Sequence, residues 1–296
     1  MTAQPWHGVV VASALPFNAD LSVDYAAFAD HVRWLAANGC HGITPNGSLG
    51  EYQCLTPEER AKVVEVAVDA APEGFSVVPG TGAYGSGEAV GWAKQAKDAG
   101  AQALLSLPPN AYRADDDIVF AHYEEIASAG LPVVAYNNPY DTKVDLSPAL
   151  LARLHAAGLI VAVKEFTGDV RRFYEIEELA PELDVLVGTD DVVLELALAG
   201  AKGWIAGYPN ALPVASVQLW ELSVAQDFEK ALPMYRDLHS LLRWDSKPQF
   251  VQAIKLSMDV AGRKGGPCRP PRLPLSADVA ASVRKDTERA LAHGYR

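Results

Sequence analysis

Eight short apolar runs alternate with longer amphipathic segments between residues 8 and 210. The runs are GVVVASAL (8–15), HGITPN (41–46), FSVVPGTG (75–82), ALLSLPP (103–109), PVVAYNNP (132–139), IVAVKEF (160–166), DVLVGTD (184–190) and GWIAGYPN (203–210). They are rich in Val and Ile and apolar at successive positions, as parallel strands covered by helices should be. The segments between them read as helices. VDYAAFADHVRWLAANG places Phe28, Val32 and Leu35 at helical spacing and stops at Asn38-Gly39. LTPEERAKVVEVAVDAAPEG opens with Thr56 as N-cap, Pro57 in the first turn and Glu59 three residues after the cap, a capping box. Later segments repeat this grammar. Strand–helix alternation carried through eight times predicts an α/β fold, a closed (β/α)8 TIM barrel. An open doubly wound sheet would show a Gly-rich phosphate loop after its first strand, where ALPFN stands instead.

After the eighth run no further strand is legible. LPVASVQLWELSVAQ, DFEKALPMYRDLHSLLRW, PQFVQAIKLSMDVAG and SADVAASVRKDTERALAHG read as helices, with the Pro/Gly-rich loop GRKGGPCRPPRLPL (262–275) before the last. The expected division is a barrel over 1–222 and a C-terminal helical domain over 223–296. Trp220, Trp244 and Phe250 in that region suit either a subunit interface or core packing. The net charge of −12 argues against nucleic acid or an anionic membrane as partner, though it leaves room for a small acidic substrate. The N-terminal MTAQPWHGVVVASALPF has no basic leader, and its apolar run is too short to span a bilayer. Cys40, Cys54 and Cys268 fit no metal or disulfide spacing, so a cytoplasmic protein with free thiols is expected.

In a (β/α)8 barrel the active site gathers at the C-terminal ends of the strands. The sharpest candidate there is Lys164, which follows Ile-Val-Ala-Val. An amine held against the barrel interior loses solvation and with it part of its proton affinity. As a neutral amine it attacks carbonyls and forms a Schiff base. The competing reading is a buried ion pair with Glu165 or Asp190. Tyr136 ends the neighbouring strand and offers a phenol to carry protons during imine formation. The loop GSLGEY (47–52) offers backbone N–H groups and the Ser48 hydroxyl to a carboxylate. Asp190 and Asp191 read as helix-terminal acids beside Thr189 rather than metal ligands, since no His or Cys accompanies them. His31, His122 and His155 lie within helices, in surface or packing roles.

Taken in order, G-S-x-G-E, Y-N-x-P, V-K-E-x-T-G-D, G-x-D-D and G-x-I-x-G-x-x-N resemble the dihydrodipicolinate synthase/N-acetylneuraminate lyase family of Schiff-base enzymes. The resemblance runs from GVVVASALPF to RPPRLPL. It implies that Lys164 forms the imine with a 2-oxo acid and that Tyr136 relays protons with Ser48 as its hydrogen-bond partner. Gly47, Ser48 and the Leu49 N–H would hold the substrate carboxylate. Ile205 and Gly207 would line the site beside the imine, and the phenols Tyr52 and Tyr140 and the amide Asn138 would suit a hydroxylated substrate. The resemblance also implies a homo-oligomer, commonly a tetramer, with no metal or organic cofactor.

Departures from that pattern bear on the substrate. The synthase has a second threonine where Leu49 stands, a tyrosine that crosses to the neighbouring subunit where Ala111 stands, and a carboxylate-gripping arginine where Asp141 stands. Tyr112 is one residue from the second of these positions. An acid at 141 repels an incoming carboxylate. G-S-x-G with Y-N-x-P-Y and K-E-F resembles the branch that includes the pyrroline-4-hydroxy-2-carboxylate deaminases. A deaminase or dehydratase of that type is the expected activity. The synthase itself, condensing pyruvate with aspartate semialdehyde, and a 2-keto-3-deoxy sugar-acid aldolase or dehydratase are the alternatives.

Overall fold

The apolar runs become eight parallel strands: β1 (Gly8–Ala12), β2 (Gly42–Thr44), β3 (Ser76–Val77), β4 (Leu104–Ser106), β5 (Val133–Asn137), β6 (Ala162–Glu165), β7 (Asp184–Val187) and β8 (Gly203–Ala206). The computed structural model describes residues 4–110 and 112–296. Ladder order is β3-β2-β1-β8-β7-β6-β5-β4. The first and last strands are therefore neighbours, with Val10 opposite Ile205. The ring closes between β3 and β4. There Leu105 N–H donates to Pro79 O (2.9 Å), Thr81 N–H to Leu105 O (3.0 Å) and Gln102 N–H to Val77 O (3.1 Å). This is the closed (β/α)8 barrel that the alternation predicts.

Helices α1 (Tyr25–Ala37), α2 (Pro57–Ala70), α3 (Ser86–Ala99) and α4 (Asp116–Ala127) follow the first four strands. After β5 comes a single turn, α5 (Pro139–Thr142), then α6 (Pro148–Ala156). Next are α7 (Arg171–Leu179), α8 (Val193–Ala199) and α9 (Pro213–Val224). The capping box at α2 is formed: Glu59 N–H donates to Thr56 Oγ1 at 3.2 Å, and Thr56 N–H to Glu59 Oε2 at 3.0 Å. Gly100 and Gly200 end α3 and α8 at φ 98° and 117°, a conformation that favours glycine. The division expected at 222 falls in the last turn of α9. Beyond it lie α10 (Phe228–Leu242), α11 (Phe250–Val260) and α12 (Ala277–Ala292). Trp220 and Trp244 are buried within the chain, so core packing accounts for both. Among the described residues no helix is long and apolar enough to cross a membrane, and the three cysteines are free.

Two apolar layers flank the strands. Val9, Val11, Ile43, Val77, Leu104, Val163, Val187 and Trp204 pack outward against the helices. Val10, Val78, Ala103, Val134, Ala162, Leu186 and Ile205 pack inward and fill the barrel. Period-two alternation along each strand produces this split.

One buried ion pair ties the barrel to its C-terminal helices. Glu51, fully buried in the loop after β2, accepts from Lys255 Nζ of α11 at 2.8 Å and from Arg269 N–H at 3.0 Å. Lys255 also donates to Pro267 O at 2.8 Å and lies 4.5 Å from the Phe17 ring centroid. Losing the ammonium would leave Glu51 with Arg272 at 3.9 Å as its nearest remaining side-chain cation. Lys255→Ala is expected to cost about 3–5 kcal/mol in denaturant unfolding, the scale for breaking a buried pair from one side. A loss under about 1 kcal/mol would place this pair in the same class as a surface bridge.

Candidate active site

The same alternation that fills the barrel points Lys164 inward and Glu165 outward. Register places Tyr136 of β5 directly beside Lys164 of β6. Lys164 Nζ lies 4.4 Å from the Tyr136 ring centroid and 5.6 Å from that of Phe166. Glu165 is committed elsewhere. It accepts from Asn137 Nδ2 (3.0 Å), Arg172 Nε (3.2 Å) and Thr167 N–H (2.7 Å). Asp190 is committed too, accepting from Trp204 Nε1 (2.9 Å), Gly207 N–H (3.1 Å) and Tyr208 N–H (2.8 Å). Neither carboxylate forms the ion pair with Lys164 that was the competing reading. Burial lowers the Lys164 pKa from its ordinary 10.5 to about 8, against the opposing pull of Asp245 and Asp190. Burial likewise holds the Tyr136 phenol well above its ordinary value, so it remains a proton donor at neutral pH.

A cavity of about 1120 Å³ opens over this pair at the C-terminal ends of the strands. Gly47, Ser48, Leu49, Asn138, Tyr140, Asp141 and Gly207 line it with Tyr136 and Lys164. The loop after β2 is bent by Asn46 and Glu51, both at positive φ (57° and 55°). Gly50 N–H donates to Gly47 O (3.0 Å) and Glu51 N–H to Ser48 O (3.1 Å). The N–H groups of Gly47, Ser48 and Leu49 have no protein acceptor among the described residues, and successive free amides of this kind form an anion-binding concavity. A Cβ at Gly80 would stand 2.3 Å from Asn46 O, so the approach of β3 to this loop requires glycine. Thr44 Oγ1, Arg60 Nε, Asn110 Oδ1 and Thr189 Oγ1 belong to cavity-lining residues and are buried without partners. Such atoms are satisfied by water or a ligand.

The structure differs from the sequence reading at several points. Ser48 lines the cavity, but the hydrogen bond to Tyr136 Oη comes from Asn138 Nδ2 at 3.4 Å. The turn of α5 explains the change. Asn138 caps it and also donates to Asp141 Oδ2 at 2.9 Å, which folds its amide back over Tyr136. Ile205 does not line the cavity. It lies deeper, in the interior cluster with Val10 and Tyr136, while Gly207 two residues on reaches the wall. Tyr140 is exposed and donates to Thr167 O at 2.9 Å. Tyr112 is also exposed and is not part of the wall, and Ala111 lies outside the described residues. His31, His122 and His155 bond to Asn210, to Ser86 and Leu107 O, and to Ile160 O, in packing roles.

Two wall residues escaped the sequence reading because neither stands at a strand end. Arg60, in the first turns of α2, is buried with its guanidinium 4.9 Å from the Tyr52 ring centroid and 4.3 Å from that of Trp92. Its nearest acid, Glu88, is 4.0 Å away, and burial lowers its pKa to about 10. Asp245 enters from the segment after α10 and is 7% exposed. Among the described residues no group of three or more His, Cys, Asp or Glu is placed to hold a metal ion.

The sequence profile of the Dihydrodipicolinate synthetase family matches residues 5–290. The chain belongs to this family. The 4-hydroxy-tetrahydrodipicolinate synthase of Methanothrix thermoacetophila is 33% identical over 282 residues, spanning 94% of this chain and 95% of that one. The crystal structure of dihydrodipicolinate synthase from Aquifex aeolicus superposes with a TM-score of 0.91 at 29% identity, covering 98% and 99% of the two chains. That of the chloride-inhibited synthase from Acinetobacter baumannii, complexed with pyruvate, gives 0.90 at 30% identity, covering 96% and 98%. Membership in the dihydrodipicolinate synthetase family makes the chain a class I lyase/aldolase-type enzyme. The names of these relatives support the synthase alternative more than the deaminase branch.

The lowered pKa has a measurable consequence. Competitive acetylation with acetic anhydride is expected to modify Lys164 with a midpoint near pH 8, ahead of the surface lysines. The sign follows from burial, which disfavours the ammonium, so the reactive neutral amine appears at lower pH. A midpoint near the ordinary value of about 10.4 would mean that the amine is solvated.

Proposed function

We propose that the protein is a Schiff-base lyase in which Lys164 condenses with a small 2-oxo or cyclic imino acid. The observation that carries this reading is the buried amine beside Tyr136, facing a cavity with free N–H groups on Gly47, Ser48 and Leu49. The substrate carboxylate accepts from those N–H groups and the Ser48 hydroxyl, which sets its carbonyl carbon before the amine. Lys164 attacks as the neutral amine, and Tyr136 moves protons through imine formation. The iminium then withdraws electrons from the adjacent carbon and labilises its substituents. Asn138 holds the Tyr136 hydroxyl in place, and Tyr140 and Gly207 bound the space for the rest of the substrate.

For the second half of the reaction we favour elimination, as in a deaminase/dehydratase of the pyrroline-4-hydroxy-2-carboxylate type. Asp141 supports it. This acid lies exposed in the cavity where a condensing enzyme needs a cation for its second, anionic substrate. The second reading is condensation of pyruvate with aspartate semialdehyde. The synthase names of the relatives favour it. Arg60 favours it too, as a buried cation with an unpartnered Nε on the same wall.

Borohydride added with pyruvate or a hydroxypyrroline carboxylate should fix the substrate's mass on Lys164, and Lys164→Ala should take up none. No adduct with any 2-oxo or imino acid would overturn the Schiff-base reading. Ammonia release from the hydroxypyrroline carboxylate, measured beside condensation of pyruvate with aspartate semialdehyde, separates the two second halves. Rapid condensation without ammonia release would replace elimination with the synthase reaction. Tyr136→Phe should lower kcat by roughly 10²–10⁴ while leaving substrate binding near wild type, the range for removing a general acid–base group.

A further inference from the structure

Asp245 is a buried carboxyl that faces the same cavity as Lys164 and has no role in the scheme above. The segment that carries it is fixed on both sides. Trp244 Nε1 donates to Asp286 Oδ2 of α12 at 3.0 Å, and Ser246 Oγ donates to Asp191 Oδ1 at 2.8 Å. Asp245 N–H donates to Leu242 O at 3.0 Å. Its side chain lies over Gly207, where a Cβ would stand 2.5 Å from Asp245 Oδ1. The glycine of G-x-I-x-G thus leaves the space that this carboxyl fills.

The groups that act on it electrostatically are Lys164 of β6, Tyr136 of β5, Asp190 and Asp191 after β7, and Tyr208 after β8. Asp190 accepts only N–H donors and, with a pKa of about 6, is mostly ionised at neutral pH. Asp245 has no side-chain donor among the described residues. Burial and the Asp190 charge push its carboxyl well upward, against the pull of Lys164. Of the charges acting on Lys164, Asp245 acts most strongly. A buried amine and a buried carboxyl thus compete for one proton beside a fixed anion.

We propose that Asp245 is the acid–base partner of Lys164, taking the ammonium proton as the amine attacks and returning it to the departing water. The inference rests on the reading of Lys164 as the imine-forming amine. No ion pair within 4.0 Å joins the two groups, so the transfer we propose runs through water in the cavity rather than by direct contact. The ammonium and carboxylate first become amine and carboxylic acid. The amine nitrogen then bonds to the carbonyl carbon, and its proton passes to the former carbonyl oxygen, giving a neutral carbinolamine. The C–O bond breaks as Asp245 protonates the leaving hydroxyl, giving water, the iminium and the carboxylate. No oxidant or further reactant is needed.

The test is the rate of trapping of pyruvate by cyanoborohydride on Lys164, followed by mass from pH 6 to pH 10 at saturating reductant. The variants are Asp245→Asn and Asp245→Ala. We expect trapping by Asp245→Asn to fall about tenfold or more at pH 6–7, where the pair still holds its one proton. We also expect formate, a carboxylic acid small enough for the vacated space, to restore much of the loss in Asp245→Ala. A purely electrostatic role predicts the opposite. Removing the carboxylate would lower the Lys164 pKa and so raise trapping at neutral pH. An unchanged or raised rate at neutral pH in Asp245→Asn, or a loss in Asp245→Ala that formate does not restore, overturns the proposal. Melting curves confirm that each variant is folded, and if the Asn variant is not, the Ala variant with formate carries the test. Failure of the wild-type protein to trap any 2-oxo acid would instead overturn the Schiff-base reading.

Discussion

Everything at the catalytic end of this barrel depends on the period-two alternation of its parallel strands. Alternation sends Val163 and Glu165 to the helices and Ala162 and Lys164 to the interior. Because both faces are covered, the inward lysine is desolvated by the same packing that stabilises the sheet. The outward glutamate is satisfied by Arg172 and Asn137, so it does not neutralise the amine. A shift of one residue in β6 would exchange the two side chains, burying Glu165 in the cavity and pairing Lys164 outside. Register is therefore a chemical variable here as well as a packing one. The Tyr136–Lys164 pairing across β5 and β6 follows from the same constraint.

The C-terminal helices take part in the site. Glu51, which closes the loop of free N–H groups, is anchored from α11 by Lys255 and from the Pro-rich loop by Arg269. Asp191, at the end of β7, is bonded to Ser246 after α10. Asp190 gathers Trp204 and the backbone N–H groups of Gly207 and Tyr208, fixing the exit of β8. Loops that hold an anion through main-chain donors keep their geometry only if the backbone is held from outside the loop. Here that support comes from the C-terminal helices and the Pro-rich loop.

The barrel was legible because its signals are local: two-sided apolar runs, helical spacing, the capping box at Thr56 and Glu59, and glycines after α3 and α8. Lys164 and Tyr136 were legible because an ionisable or phenolic group at the end of an apolar run stands out against its neighbours. Arg60 and Asp245 were not. Each lies on or next to a helix, where charged residues are ordinary, and only tertiary folding shows that one is stacked between two aromatic rings and the other fills the space over a glycine. The Ser48–Tyr136 hydrogen bond came from resemblance alone. It gave way to Asn138 because the α5 turn, built on Pro139, places that amide nearer. Ile205 was misplaced because the apolar residue stays with the core, and Gly207, two residues on, meets the cavity.

The charge pattern of the cavity narrows what can react there. In the proposed function, an anionic head group would meet uncharged donors at Gly47–Leu49, where binding requires no partner charge to be displaced. Besides Lys164, the wall beyond carries the acids Glu88, Asp141, Asp191 and Asp245 and the cations Arg60, Lys247 and Arg272, of which Arg60 alone is buried. A substrate with one carboxylate and a neutral hydroxyl-bearing tail meets no repulsion from this wall. A second carboxylate has to find one of these three cations among four acids. In a low-dielectric pocket that difference is larger than the same charges would produce in water. On the proposed function, this wall would discriminate through electrostatics rather than size, in a cavity of about 1120 Å³ that would admit either substrate on volume alone.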